Sequence, residues 1–287
     1  MSETRAQTNA AGEQQAAAPR RMRVAALQMV STPEVAENLE QAGALLDRAK
    51  ERGAELALLP EYFCILGQRD RDKVAVAEAY GQGPIQEFLA SRARDLGLWI
   101  IGGTLPLRSD DPERVYNTSL VFDPRGRRVA RYDKVHLFRF ETETERYDES
   151  RTLIAGGQTV TFDAPCGRIG LSVCYDLRFP ELYRRLAQLG AKVLVVPAAF
   201  MLHTGRDHWE VLLRARAIEN QCYVLAAAQG GTHRNGRSTF GDSILIDPWG
   251  RIVEQLATGP GVVCGDVDPA VIAKVRAGLP AHSHRRF

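Results

Sequence analysis

The stretch RIGLSVCYDLRFPELYRRLAQLGAKVLVV, residues 168–196, decides the fold class. Arg168 to Val173 reads as a strand, Pro180 to Leu189 as a helix ended by Gly190, and Lys192 to Val196 (KVLVV) as a buried strand. Strand, helix, strand is the grammar of an α/β sheet. Working outward, Thr159 to Phe162 is a preceding strand, Asp207 to Asn220 a long helix and Tyr223 to Ala228 another strand. A hairpin follows, Ser243 to Ile246 and Ile252 to Gln255, joined through Asp247-Pro248-Trp249-Gly250.

The N-terminal half repeats this order. Val24 to Gln28 is a strand, Ala36 to Arg52 a helix with Leu39, Ala42, Leu45, Leu46 and Ala49 on one face, and Glu55 to Leu59 a buried strand stopped by Pro60. A helix over Ile85 to Leu96 and a strand over Trp99 to Thr104 come next. Asn117 to Phe122 and Arg128 to Asp133 form a hairpin around Asp123-Pro124-Arg125-Gly126, a second D-P-x-G turn that suggests internal two-fold pseudo-symmetry. Strands so connected need helices on their faces, so layered sheets with helices outside are expected.

With 287 residues, 45% hydrophobic and 25% charged, the chain has the makeup of a globular protein, and residues 22–287 are expected to form one domain. Residues 1–21 are expected to be a disordered tail, since the first twenty contain no Val, Ile, Leu or aromatic residue. That segment also lacks the apolar core of a signal peptide, and no run approaches the length that spans a membrane. A net charge of +2, with basic residues scattered among acidic ones, points to neither nucleic acid nor membrane as partner. Five cysteines without a C-x-x-C pair read as free thiols in a reducing compartment, so a cytoplasmic protein acting on small molecules is expected.

Cys174 closes an apolar strand and precedes a helix, a turn that lifts a side chain from the sheet edge toward backbone N–H groups. A buried, inert thiol is the alternative. Glu61, two residues past a buried strand, puts a carboxylate at the sheet's carboxyl edge, where ligands of open α/β sheets bind; a solvated strand-end acid is its plainer reading. Lys134 follows the strand ending at Asp133 and either holds an oxyanion or snorkels over Val135 to Phe138. Glu149 lies in an acidic stretch and by itself reads as a loop charge.

Glu61 in LLPEYF, Lys134 in YDKVHLF and Cys174 in SVCYDLRFPEL resemble, in that order, the three signature motifs of the nitrilase superfamily of carbon–nitrogen hydrolases. The resemblance runs from about Met22 to Arg286. It implies a four-layer α-β-β-α sandwich, a Glu-Lys-Cys triad, a second glutamate at Glu149, no cofactor, no metal, and at least a homodimer. Tyr175-Asp176 followed by Arg178-Phe179-Pro180-Glu181 is similar to the amidase branches, and residues 204–229 to the branch of deaminated glutathione amidases and ω-amidases. The implied activity is hydrolysis of the terminal carboxamide of a small carboxylate-bearing substrate, with a thioester intermediate and loss of ammonia; a carbamoyl-amine substrate is the further alternative. Tyr62, Tyr175, Arg178, Phe200 and Thr204 are the expected substrate contacts, although Arg178 is equally able to pair with Asp176 or Glu181.

Other chemistries fit less well. His203, His208, His282 and His284 match no H-x-x-x-H ligand set, Cys174 lacks a papain-like flank, and Gly102-Gly103 and Gly230-Gly231 lack G-x-G-x-x-G spacing. A non-enzymatic interaction protein on the same fold would have no need of Glu61, Lys134 and Cys174 together.

Overall fold

The structure, a computed structural model, describes residues 18–141 and 146–286. Its first half runs β1 (Met22–Gln28), α1 (Val35–Glu51), β2 (Leu56–Leu58), α2 (Asp72–Ala75), α3 (Pro84–Leu96), β3 (Trp99–Ile101), β4 (Leu105–Arg108), β5 (Val115–Phe122) and β6 (Arg128–Asp133). A small hairpin, β7 (Arg139–Glu141) and β8 (Arg146–Asp148), precedes the second half. This comprises β9 (Thr161–Ala164), β10 (Gly167–Leu171), α4 (Pro180–Gln188), β11 (Val193–Ala198), α5 (Leu202–Asn220), β12 (Tyr223–Ala228), β13 (Gly230–Thr232), β14 (Ser238–Phe240), β15 (Ser243–Ile246) and β16 (Ile252–Leu256). Then come β17 (Gly261–Val267) and α6 (Pro269–Gly278).

Each half builds one mixed sheet on the same plan. In the first, β1, β2 and β3 are parallel, β3 pairs antiparallel with β5, and β5 with β6. In the second, β10, β11 and β12 are parallel, β12 pairs antiparallel with β15, and β15 with β16. An antiparallel strand flanks each parallel set: β9 beside β10, and β17 beside β1. The chain's penultimate regular element therefore leaves the second sheet to complete the first.

The hairpin turns match atom for atom. Asp123 Oδ1 accepts the amides of Arg125 and Arg127, and Asp247 Oδ1 those of Trp249 and Arg251. Gly126 and Gly250 sit at φ +73° and +83°, where only a residue without Cβ is unstrained. The register shifts beside both turns, after Val121 and after Leu245. The two-fold pseudo-symmetry expected from the repeated D-P-x-G turn is present in the strand order as well.

Alternation at period two separates the layers. Val24, Ala26, Leu56, Leu58 and Ile101 join a core shared with the second sheet, whereas Ala25, Leu27, Ala57, Leu59 and Ile100 join one shared with α1 and α3. On the far side, α4 and α5 bury Leu182, Tyr183, Leu186, Trp209 and Leu213 against the second sheet. Helices, sheet, sheet, helices is the expected four-layer order. The seam between sheets is closed by Gln28 and Gln229, both fully buried: Gln28 bonds to Gly259 and Ser243, and Gln229 to Ser31 and Glu61.

Several elements differ from expectation. The helix expected from Asp207 begins at Leu202, because Gly205 does not break it; a Cβ there would stand 2.3 Å from Phe240, so the glycine admits close packing of β14. β4 contains Pro106 and was not expected as a strand; it lies at the sheet's edge, where a missing N–H is tolerated. The tail expected over 1–21 lies, through residue 17, outside the described residues. Arg20 donates its amide to Pro165 O and its side chain to Glu55, and Arg21 pairs with Asp266.

Candidate active site

Strand ends place the polar groups. Glu61 follows β2, Lys134 follows β6, Cys174 follows β10 and Ala199 follows β11, so the carboxyl edges of both sheets meet at one cavity. All nine residues expected at the site line it: Glu61, Tyr62, Lys134, Glu149, Cys174, Tyr175, Arg178, Phe200 and Thr204.

Glu61 is 1% exposed, and its carboxylate accepts three hydrogen bonds. Oε1 accepts Lys134 Nζ at 2.8 Å and Asn117 Nδ2 at 2.9 Å, and Oε2 accepts the Ala199 N–H at 2.9 Å. Lys134, equally buried, reaches Glu149 Oε1 at 3.0 Å and Oε2 at 2.9 Å. Glu149 also receives the Tyr62 hydroxyl at 2.9 Å and the Phe138 N–H at 2.7 Å. One ammonium thus lies between two buried carboxylates, all hydrogen-bonded, which is the condition under which buried charge is tolerated. Burial lowers the Lys134 pKa, but the charges of Glu149 and then Glu61 overcome it, so the ammonium is held charged well above its ordinary range. Tyr62 is kept as a hydroxyl, first by burial and then by Glu149.

Cys174 has φ +46°, a conformation costly for a residue with a side chain, and it opens a 3-10 turn ending at Arg178. Asp176 over-determines that turn. Its Oδ2 accepts the Val173 N–H at 2.8 Å and the Tyr132 hydroxyl at 2.6 Å, while Oδ1 accepts the His136 N–H and contacts His136 Nδ1 at 2.7 Å. Arg216 of α5 donates to Leu177 O from two nitrogens. Burial raises the Cys174 pKa well above that of a free thiol, the Glu61 carboxylate raises it further, and Lys134 opposes both. The resting nucleophile candidate is a neutral thiol beside a carboxylate.

Asp176 is therefore not the partner of Arg178, and among the described residues neither is Glu181. Arg178 contacts His208 Nδ1 at 3.2 Å and lies over the rings of Phe200 and Tyr175, 5.2 and 6.0 Å from their centroids. Its guanidinium faces the cavity. Aromatic rings line much of the cavity: Phe138 packs edge-on to Tyr175 at 5.1 Å and against Tyr147 at 5.5 Å.

Sequence reasoning missed Asn117, Asp176, Tyr147, Ala199, Met201 and Arg237. Asn117, inside β5 beside Thr118 and Ser119, carried no distinguishing signal, and neither did Arg237 and Tyr147, which reach the cavity from hairpins distant in sequence. Among the described residues, no helix is long and apolar enough to cross a membrane.

The sequence model of the family described as Carbon-nitrogen hydrolase matches residues 23–277. A deaminated glutathione amidase of Synechocystis is 44% identical over 267 residues, which cover 92% of this chain and 97% of that one. Among solved structures, the NitFhit protein of C. elegans superposes with a TM-score of 0.86 at 38% identity; the match spans 94% of this chain and 66% of that one. Nit3 of Saccharomyces cerevisiae, a member of branch 10 of the nitrilase superfamily, gives a TM-score of 0.85 at 31% identity, covering 93% and 97%.

Proposed function

The chain belongs to the carbon–nitrogen hydrolase family of the nitrilase superfamily and hydrolyses non-peptide carbon–nitrogen bonds, and from that premise we propose that Cys174 is its nucleophile and deaminated glutathione its substrate. The observation that carries the reading is that Cys174, Glu61 and Lys134 line one cavity, with the Lys134 ammonium 2.8 Å from Glu61 Oε1. The relatives' shared name supports the substrate.

Because the thiol starts protonated, it needs a base at the moment of attack. Glu61 takes the thiol proton as Sγ bonds to the amide carbon. Lys134 and the Tyr175 N–H stabilise the developing oxyanion, donors of a kind that contribute roughly 3 kcal/mol each. Glu61 then gives its proton to the leaving nitrogen, the C–N bond breaks, and a thioester remains on Cys174. Water, deprotonated by Glu61, adds to the thioester carbon; the C–S bond breaks and the thiol takes the proton back. Glu149 orients Lys134 and transfers no proton, since all its contacts are donors fixed in place. Arg178 binds the carboxylate of the acyl chain, its fork turned to the cavity. On deaminated glutathione the leaving amine is cysteinylglycine; on a primary carboxamide it is ammonia.

Incubation with deaminated glutathione, 2-oxoglutaramate and a carbamoyl amine, with products quantified, tests this. Release of 2-oxoglutarate and cysteinylglycine at the highest kcat/KM is expected; no turnover of any of the three would overturn the reading. Free thiols at all five cysteines support a cytoplasmic setting. A homo-oligomer is supported by Val211 and Ile218 on α5 and by Trp249, each more than half exposed. Light scattering at the monomer mass would refute it.

A further inference from the structure

The free volume at the thiol is about 40 Å³, room for a few water-sized groups. Beside it an open cleft of about 760 Å³ continues along the start of α5. Ala199, Met201, Tyr147 and Arg237 line both spaces. Ala199 also ties this opening to the catalytic carboxylate: its N–H bonds to Glu61 Oε2, so the two spaces join beside the base that must protonate the leaving nitrogen. With the acyl chain held at Arg178 in the smaller space, an amine larger than ammonia has this cleft to extend into.

The cleft's walls are cationic. His203 and Arg206, three residues apart on α5, share the face turned to it, and Arg237 reaches it from the opposite side, its guanidinium 4.9 Å from the centre of the Tyr147 ring. Among the described residues, neither Arg206 nor Arg237 has a carboxylate within ion-pair distance, and Asp70 is the one acid lining the cleft. Two arginines at an open cleft that joins the thiol space, neither with a carboxylate partner among the described residues, are suited to a carboxylate on the amine half of the substrate.

We propose that this cleft is an amine-side subsite in which Arg206 and Arg237 bind the terminal carboxylate of a short peptide-like leaving amine. The proposal rests on the amidase reading above and adds which half of the substrate is recognised by charge. The protein would thereby separate peptide-like amides from primary carboxamides of the same acid.

The test compares deaminated glutathione with its C-terminal carboxamide, which differs only in lacking the distal charge. In the native protein kcat/KM is expected to favour the free acid by about 10-fold or more, mainly through KM, and less so at high salt. In Arg206→Gln and in Arg237→Gln that ratio is expected to fall toward one. Equal kcat/KM for the two forms in the native protein, or an undiminished ratio in both variants, overturns the subsite. Turnover of 2-oxoglutaramate with neither peptide form also overturns it while leaving the hydrolase reading standing. No turnover of any of these compounds overturns both.

Discussion

At Cys174 the backbone is bent into the left-handed region, a strain of the kind that collects at functional sites, and the thiol is kept neutral. Cys174→Ala is expected to lower kcat by more than about 1,000-fold with the circular dichroism spectrum unchanged; substantial residual turnover would exclude this nucleophile. Glu61→Gln should cost about 100- to 10,000-fold in kcat, because no other group accepts the thiol proton. Lys134→Met leaves two buried carboxylates without their ammonium, so a loss of roughly 3–5 kcal/mol in stability is expected. Glu61, Lys134 and Cys174 were legible as candidates because each follows a recognisable strand end, and the irregular Glu149 because of the family pattern. Asp176 entered only as an alternative partner for Arg178, and its role in bracing the turn was missed, since chain proximity says nothing about which way a turn aims its carboxylate. Arg237 was invisible for another reason: it reaches the site through tertiary folding alone.

Among the elements, the paired hairpins offer a direct comparison of one turn in two settings. A Cβ at Gly126 would stand 2.5 Å from Ala90 O, a backbone atom of α3, and one at Gly250 would stand 2.6 Å from Ile218 side-chain atoms of α5. Gly126→Ala and Gly250→Ala are both expected to destabilise through positive φ, by about 1 kcal/mol or more. Gly126→Ala should be the worse, because a helix carbonyl cannot turn aside as an isoleucine can; urea midpoints in the reverse order would refute this. Elements with strong periodicity or a turn signature were legible from sequence, including both hairpins and α1. Elements defined by their neighbours were not: β4 is a strand only because β5 offers it an edge, and β7 and β8 only because they pair with each other.

Considered as a whole, the molecule buries five free thiols and keeps them protonated. Burial pushes Cys166 and Cys222 up to about 11, and Cys64 and Cys174 higher still. A folded-state pKa above the unfolded value means that the folded form holds the proton longer. The associated stability is complete below the unfolded thiol value near 9 and is lost as pH rises through the folded one. Each thiol contributes a slope of about 1.4 kcal/mol per pH unit in that window. Urea midpoints should therefore fall steeply between pH 9 and 11; a flat profile would show that the thiols are not sequestered.

The strand that crosses over imposes an order in time. β17 pairs along the whole of β1, from Met22 opposite Val267 to Gln28 opposite Gly261, so nearly the entire chain must leave the ribosome before the first sheet is sealed. At synthesis rates of about 5–20 residues per second, β1 waits at least about ten seconds with an unpaired edge. An open edge is a template for the wrong strand, including the same strand of a neighbouring nascent chain. Translation speed and chaperone occupancy late in synthesis therefore bear on how much of this protein folds correctly.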